Sequence, residues 1–133
     1  MQKGNRGKSA GTVLVIDDDS GMRALLRDLL EREGLRVLEE GSCEGAMATV
    51  ESNRLDAVIL DKEMPNMSGL DFLALLRRRW PDTAVILITA FGGPVVADEA
   101  QRRGAARYLE KPFRVTQLLE AIRTVTKTKE AGS

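Results

Sequence analysis

Five short runs of apolar and β-branched residues recur along the chain, and segments with helical spacing separate them. The runs cover residues 12–16, 35–38, 57–60, 84–88 and 106–109. Three of them are apolar without alternation, which is typical of strands covered on both faces. The second run alternates partly and is expected nearer a sheet edge. This rhythm predicts βαβ units around one parallel sheet.

The segments between the runs carry apolar stripes on one side. The first stripe has i, i+3, i+4, i+7 and i+8 spacing and comprises Met22, Leu25, Leu26, Leu29 and Leu30. The segment 93–103 follows two glycines and a proline, and it has little to bury beyond Val95, Val96, Ala97 and Ala100. Because so little apolar area opposes its ordering entropy, we expect this fourth helix to be mobile.

Right-handed crossovers arrange these elements as an α/β fold, an open, doubly wound (βα)5 sheet with helices on both faces. Ligands on such a sheet bind at the carboxyl ends of the strands. Four of the predicted strands end in reactive polar residues, namely Asp17-Asp18-Asp19, Asp61, Thr89 and, after a short turn, Lys111. Short polar residues also favour strand ends and helix caps, which is the alternative for any one position. Four such ends together indicate a site.

The residue types at these strand ends point to one chemistry. Carboxylates of Asp17, Asp18 and Asp61 in one crevice repel each other, so some must protonate or a divalent cation must lie among them. Oxygen ligands without histidine or thiolate favour Mg²⁺. The Lys111 ammonium and the Thr89 hydroxyl complete a set that stabilises the oxygens of a transferring phosphoryl group. We therefore expect in-line transfer onto Asp61, which gives an acyl phosphate.

Composition excludes several other function classes. The 133-residue chain has no histidine, which removes Ser-His-Asp and Cys-His nucleophile schemes and nearly all zinc sites. Its 20 basic and 20 acidic side chains give no electrostatic case for nucleic acid. The only cysteine, Cys43, has no partner for an internal disulfide, and no apolar run approaches the ~20 residues of a membrane span. A cytoplasmic protein is expected, with a disordered lead-in at 1–11, one domain at 12–126 and a polar tail at 127–133.

Four stretches around these strand ends resemble the bacterial two-component response-regulator receiver family, in the family's order and spacing. They are VLVIDDD at 13–19, LDKEMPNMSG at 60–69, LITA at 87–90 and YLEKPF at 108–113. The resemblance runs from about residue 12 to residue 126. It implies a flavodoxin-like sheet with strand order 2-1-3-4-5. It also implies a phosphoacceptor regulator whose only reactions are slow, Mg²⁺-dependent self-phosphorylation and self-dephosphorylation.

The resemblance further implies a role for each site residue. Asp61 is the phosphoacceptor, and Asp18 and Asp61 bind Mg²⁺ directly together with the backbone carbonyl of Glu63. Asp17 acts on the metal through water. Lys111 pairs with the phosphoryl oxygens, and Thr89 hydrogen-bonds the remaining one.

Two more features follow from the same resemblance. Tyr108 matches the family's switch aromatic, which turns inward when Thr89 moves toward the phosphate. The alternative for Tyr108 is an amphipathic strand residue with its hydroxyl in water. A cis peptide is expected between Lys111 and Pro112. Glu63 and Phe91 occupy positions that tune dephosphorylation in the family, and the sequence does not say in which direction.

A receiver needs partners that this chain does not supply. Without histidine it has no phosphodonor of its own, so a partner histidine kinase or phosphotransfer protein is implied. A downstream protein target, or an output domain outside this chain, is expected to bind a surface formed by 92–108 and the last helix. The chain is expected to be a monomer or a weak homodimer through the fourth and fifth helices.

Two alternatives remain at this stage. A degenerate receiver would serve only as a phosphate-independent protein-binding module. A phosphatase of the haloacid-dehalogenase type would also use Asp-x-Asp, then Thr or Ser, then Lys. That class further requires an acidic pair after the lysine, and only Glu120 and Glu130 follow Lys111.

Overall fold

The computed structural model describes residues 11–131, with side chains through 126. The predicted lead-in, except residue 11, and the last two residues of the predicted tail lie outside the described residues. The strands are β1 (Thr12–Ile16), β2 (Arg36–Glu40), β3 (Ala57–Asp61), β4 (Ala84–Thr89) and β5 (Arg107–Glu110). The helices are α1 (Ser20–Glu31), α2 (Cys43–Ser52), α3 (Gly69–Arg79), α4 (Pro94–Arg102) and α5 (Val115–Ala131).

All five strands pair in parallel, in the order β2-β1-β3-β4-β5. This confirms the doubly wound, flavodoxin-like fold, with β2 at one edge as its partial alternation predicts. The second strand lies further along the chain than the apolar run at 35–38. Thr12 pairs with Arg36 and Ile16 with Glu40, so the ladder extends over two glutamates that an edge strand can expose to water.

Alternate residues of the central strands face two separate apolar layers, because successive side chains of a strand point to opposite faces. Val13 and Val15 lie on the face covered by α1 and α5, where Leu26 and Ile122 are buried. Leu14 and Ile16 lie on the face covered by the other three helices. On that second face the layer includes Ala46, Val50, Phe72, Leu73 and Ala100.

Two residues of the predicted apolar stripes are exposed. Leu25 is 51% exposed because α1 packs through Leu26 and Leu30, which leaves Leu25 at the margin of its stripe. Val95 in α4 is 79% exposed, and Ala100 is the only residue of that helix that is fully buried. α4 also begins without a side-chain cap. As expected, few side chains of α4 pack against the core, and the mobility of this helix stays a prediction.

The other helix ends follow local chemistry. Asp19 caps α1 by accepting from the backbone N–H groups of Gly21 and Met22. Gly34, with φ +88, reverses the chain after that helix. Ser68 caps α3 by accepting from the Asp71 N–H. Within the described residues, no helix has both the length and the apolar character needed to cross a bilayer.

Candidate functional site

Four predicted site residues lie at one edge of the sheet, where the carboxyl ends of the parallel strands meet. Asp17 directly follows β1, Asp61 ends β3 and Thr89 ends β4. Lys111 is the residue after β5. The side chains of Asp17, Asp61 and Thr89 are almost fully buried, at 0%, 3% and 0% exposure. The topology thus gathers these groups from positions up to 94 residues apart.

The three carboxylates form one cluster with a single ammonium beside it. Asp17, Asp18 and Asp61 each offer an oxygen atom, and these atoms lie within 4.8 Å of one another. Lys111 Nζ is 3.3 Å from Asp17 Oδ2 and 3.7 Å from Asp61 Oδ2. Asp18 is exposed, so the cluster is open to solvent on its side. Three acidic groups against one lysine leave an excess of negative charge.

The electrostatics of Asp61 reflect this excess. Burial, followed by the neighbouring Asp17, raises the pKa of Asp61 from 3.8 to about 6. The N–H of Glu63, which donates to Asp61 Oδ1 at 3.2 Å, and the Lys111 ammonium only partly oppose the rise. An all-oxygen donor set with surplus charge fits a hard divalent cation. The cluster can therefore hold a metal ion.

Glu63 makes a contact that the sequence did not predict. Its carboxylate accepts hydrogen bonds from the Thr89 hydroxyl at 2.5 Å and from the Ala90 N–H at 2.9 Å. Lys62 Nζ lies 3.1 Å from the same carboxylate. Burial alone would raise the pKa of Glu63, but the hydrogen bonds from Thr89, Ala90 and Lys62 outweigh it and hold that pKa below its usual value. Glu63 is thus held ionised across the end of β4.

Arg23 fixes the end of β1, a role that the sequence did not reveal. Its Nη1 donates to the backbone carbonyl of Asp17 at 2.6 Å, and its Nε pairs with Glu39 at 3.2 Å. The Asp17 side chain in turn accepts from the Asp19 N–H at 2.9 Å. The only available signal was the position of Arg23 one helical turn after the acidic triplet. These bonds orient Asp17 toward the cluster.

Tyr108 lies on β5, beside the loop that follows β4. Its hydroxyl donates to Glu110 Oε2 at 2.9 Å, and the Gly93 N–H donates to the same oxygen at 2.8 Å. The hydroxyl thus has an exposed protein acceptor two residues further along β5, and the role of Tyr108 as a switch stays a prediction. A Cβ on Gly92 would collide with both the Tyr108 hydroxyl and Glu110. The Lys111–Pro112 peptide is cis, as expected.

Comparison with known protein families identifies the family to which this chain is similar. The family model described as "Response regulator receiver domain" matches residues 13–123. The chain belongs to the response regulator receiver family. As a receiver domain, it is a phosphoacceptor module of two-component signalling, and neither alternative reading finds support.

Three relatives illustrate the range of this family. The receiver domain described here is 39% identical over 113 residues to the response regulator protein FleR of Pseudomonas aeruginosa, covering 85% of this chain and 24% of FleR. It is 29% identical over 111 residues to sporulation initiation phosphotransferase F of Bacillus subtilis, covering 84% and 90% of the two chains. It is also similar to the beryllofluoride-activated NtrC4 receiver domain dimer, with 31% identity, a TM-score of 0.84 and coverage of 88% and 97%. The chain thus spans about a quarter of the length of FleR.

Proposed function

We propose that Asp61 is the residue of this receiver domain that accepts the phosphoryl group, with Thr89 and Lys111 binding the phosphoryl oxygens. The observation that carries this assignment is the convergence of Asp17, Asp18, Asp61 and Lys111 at one solvent-open edge of the sheet. Asp61 lies at the centre of that set, since Asp17 and Lys111 are both neighbours of its carboxylate.

The transfer itself needs no general base. An Asp61 carboxylate oxygen forms the new P–O bond while the P–N bond of a phosphohistidine on the partner kinase or phosphotransfer protein breaks. The bonding electron pair stays on the imidazole nitrogen, which then takes a proton from solvent. The Lys111 ammonium faces the charge that develops on the phosphoryl oxygens.

We assign the metal position to Asp18, Asp61 and the backbone carbonyl of Glu63, with Asp17 acting through water. A Mg²⁺ ion bound there supplies neutralisation of the carboxylates and of the phosphoryl oxygens. The raised pKa of Asp61 supports this part of the proposal, because a buried carboxylate that resists ionisation gains most from a neighbouring cation. Asp61 must be ionised to act as the nucleophile.

The signal passes, in this proposal, from Thr89 to the surface formed by residues 92–108 and α5. Thr89 is continuous with the loop that carries Gly93, and Gly93 is tied through Glu110 to Tyr108. Movement of Thr89 toward a phosphoryl group therefore pulls on Tyr108 and α4, which is lightly packed. A downstream protein, an output domain elsewhere in a longer protein, or a second copy bound weakly through α4 and α5 would bind the altered face.

Residues 12–126 form the functional unit, which acts as a regulator without turnover of an external substrate beyond slow self-phosphorylation and self-dephosphorylation. Its place of action in this proposal is the cytoplasm.

Intact mass after incubation with acetyl phosphate and Mg²⁺ tests the assignment. Wild-type protein is expected to gain one phosphoryl group, and Asp61→Asn none. Asp82→Asn, an exposed carboxylate in the turn before β4, is the matched control and is expected to behave as wild type. An adduct that persists in Asp61→Asn would overturn the assignment. A wild-type protein that gains no mass would instead favour a phosphate-independent binding module.

A further inference from the structure

The Glu63 side chain occupies the two hydrogen-bond donors at the end of β4. One carboxylate oxygen accepts from the Thr89 hydroxyl and the other from the Ala90 N–H. The lysine that pairs with it is Lys62, the residue directly after Asp61. Glu63 therefore places an anion with two hydrogen-bonded oxygens close to the proposed phosphorylation site.

These donors lie at the end of β4, the strand that pairs with Asp61. In the sheet Asp61 pairs with Ile88, the residue before Thr89, and the Lys62 N–H donates to the Ile88 carbonyl at 2.8 Å. Thr89 and Ala90 thus lie alongside Asp61 and Lys62 on the neighbouring strand. A phosphoryl group on Asp61 presents oxygens that need donors from this side of the crevice.

Thr89 cannot serve both anions at once. A hydroxyl has one proton to donate, and the Thr89 proton is directed to Glu63. The same Thr89 oxygen accepts from the Phe91 N–H at 3.0 Å, which further fixes its orientation. A phosphoryl oxygen can gain the Thr89 proton only if the hydrogen bond from Thr89 to Glu63 is broken.

We propose that Glu63 is a resident anion that occupies the phosphoryl-oxygen donors of Thr89 and Ala90 in the unphosphorylated protein and must be displaced when Asp61 carries a phosphoryl group. The inference rests on the proposed function, because it takes Asp61 as the acceptor. Glu63 has a route out, since its side chain is 27% exposed and Lys62 beside it can accompany the carboxylate toward solvent. Glu63 then sets the free-energy cost of redirecting the Thr89 hydroxyl to a phosphoryl group.

Two variants separate this displacement from simple charge repulsion. Glu63→Asp keeps the negative charge but withdraws the carboxylate by one methylene, so it no longer reaches both donors. Glu63→Gln keeps the length but loses the charge, and its amide group can accept from only one of the two donors. If only charge mattered, Glu63→Asp would behave as wild type.

The experiment measures the affinity of beryllofluoride, a phosphoryl mimic, in the presence of saturating Mg²⁺. Calorimetric titration of the whole chain is expected to show binding to Glu63→Asp and Glu63→Gln about tenfold tighter than to wild type, because two charge-assisted hydrogen bonds no longer have to be broken. Nuclear magnetic resonance of the metal-free proteins gives an independent readout. The Ala90 amide proton is expected to move upfield in both variants as its carboxylate acceptor leaves.

The outcomes distinguish the inference from the function on which it rests. Tighter binding to both variants, together with the Ala90 shift, supports the displacement. Equal or weaker binding to Glu63→Asp, when wild type binds beryllofluoride, overturns the displacement and leaves the proposed function intact. A wild-type protein that binds no beryllofluoride overturns the proposed function and the inference with it. Thermal melting of each variant verifies that it is folded before titration.

Discussion

Asp61 is a buried carboxylate whose ionisation opposes folding, so the free energy of unfolding is expected to depend on pH. Its pKa is raised from 3.8 to about 6, so the folded protein loses stability as pH rises through that interval. Asp61→Asn removes the ionisation. In chelator-containing buffer it is expected to be about 3 kcal/mol more stable than wild type near pH 8 and nearly equal to it below pH 4. Urea denaturation at both pH values measures the difference.

The control for this experiment is Asp82→Asn, whose carboxylate is exposed at the opposite edge of the sheet. It is expected to show no such pH-dependent gain. Adding Mg²⁺ near pH 8 is expected to stabilise wild type more than Asp61→Asn, because the cation relieves the repulsion between carboxylates. If Asp61→Asn were less stable than wild type near pH 8, ionisation of the Asp61 carboxylate would not destabilise the folded protein.

The sequence predicts the position of residues that end strands, but it does not predict the conformation of long side chains. Asp17, Asp61 and Thr89 could be placed together because the carboxyl ends of parallel strands meet at one edge. The Glu63 contact with Thr89 depends on the rotamer of a flexible side chain in a loop, which no periodicity encodes. The sequence could therefore place Glu63 near the site but not assign its partner.

At the scale of elements, the loop between β4 and α4 is held by a hydrogen-bonded cluster of Gly93, Tyr108 and Glu110. Glu110→Ala removes the acceptor of the Gly93 N–H, which is bonded at 2.8 Å. The Gly93 amide is expected to exchange with solvent about tenfold faster, since a charge-assisted hydrogen bond no longer protects it. Hydrogen exchange followed by nuclear magnetic resonance measures this rate.

Tyr108→Phe is the matched control, because it removes the other hydrogen bond to Glu110 and leaves the bond to Gly93 in place. Its Gly93 amide is expected to exchange at nearly the wild-type rate. Unchanged exchange in Glu110→Ala would show that this cluster does not hold the loop.

The apolar pattern predicts which elements exist better than it predicts where each element begins and ends. All five strands and the fourth helix lie where the apolar runs and the Gly-Gly-Pro segment place them, because burial on one or both faces dictates those patterns. The second strand extends to Glu40, since backbone pairing with β1 fixes its length whatever the side chains prefer. Leu25 is exposed because the packing partner of α1, which the sequence does not name, decides which side of the stripe is covered.

Across the whole molecule, a structural change that begins at Asp61 is expected to reach one side of the domain, the side of the β4–α4 loop. Thr89 leads to the loop at Gly93, to α4 and to Tyr108, whereas α1 and α2 have no corresponding tie to Thr89 among the described hydrogen bonds. Beryllofluoride with Mg²⁺ is therefore expected to alter amide exchange outside the site mainly in 92–108 and α5. Mass-spectrometric hydrogen exchange with and without the mimic gives the map. Changes confined to residues 34–50 would contradict this route.

The overall topology could be anticipated only in part from first principles. The alternation of apolar runs and helical stripes predicts a parallel sheet with both faces covered, and the two buried layers confirm it. Strand order came from the resemblance to the receiver family, because hydrophobic patterning does not specify which parallel strands are neighbours. The site follows from topology, since the strand order puts β1 and β3 side by side.

The most direct test of the central claim is to locate the phosphoryl group by chemistry. The protein is incubated with acetyl phosphate and Mg²⁺, reduced with borohydride, which converts an aspartyl phosphate to homoserine, and analysed by peptide mass spectrometry. The account predicts homoserine at position 61 alone, and none when Mg²⁺ is replaced by a chelator. Homoserine at position 17 or 18, or a stable phosphoryl group on a hydroxyl side chain, would contradict it.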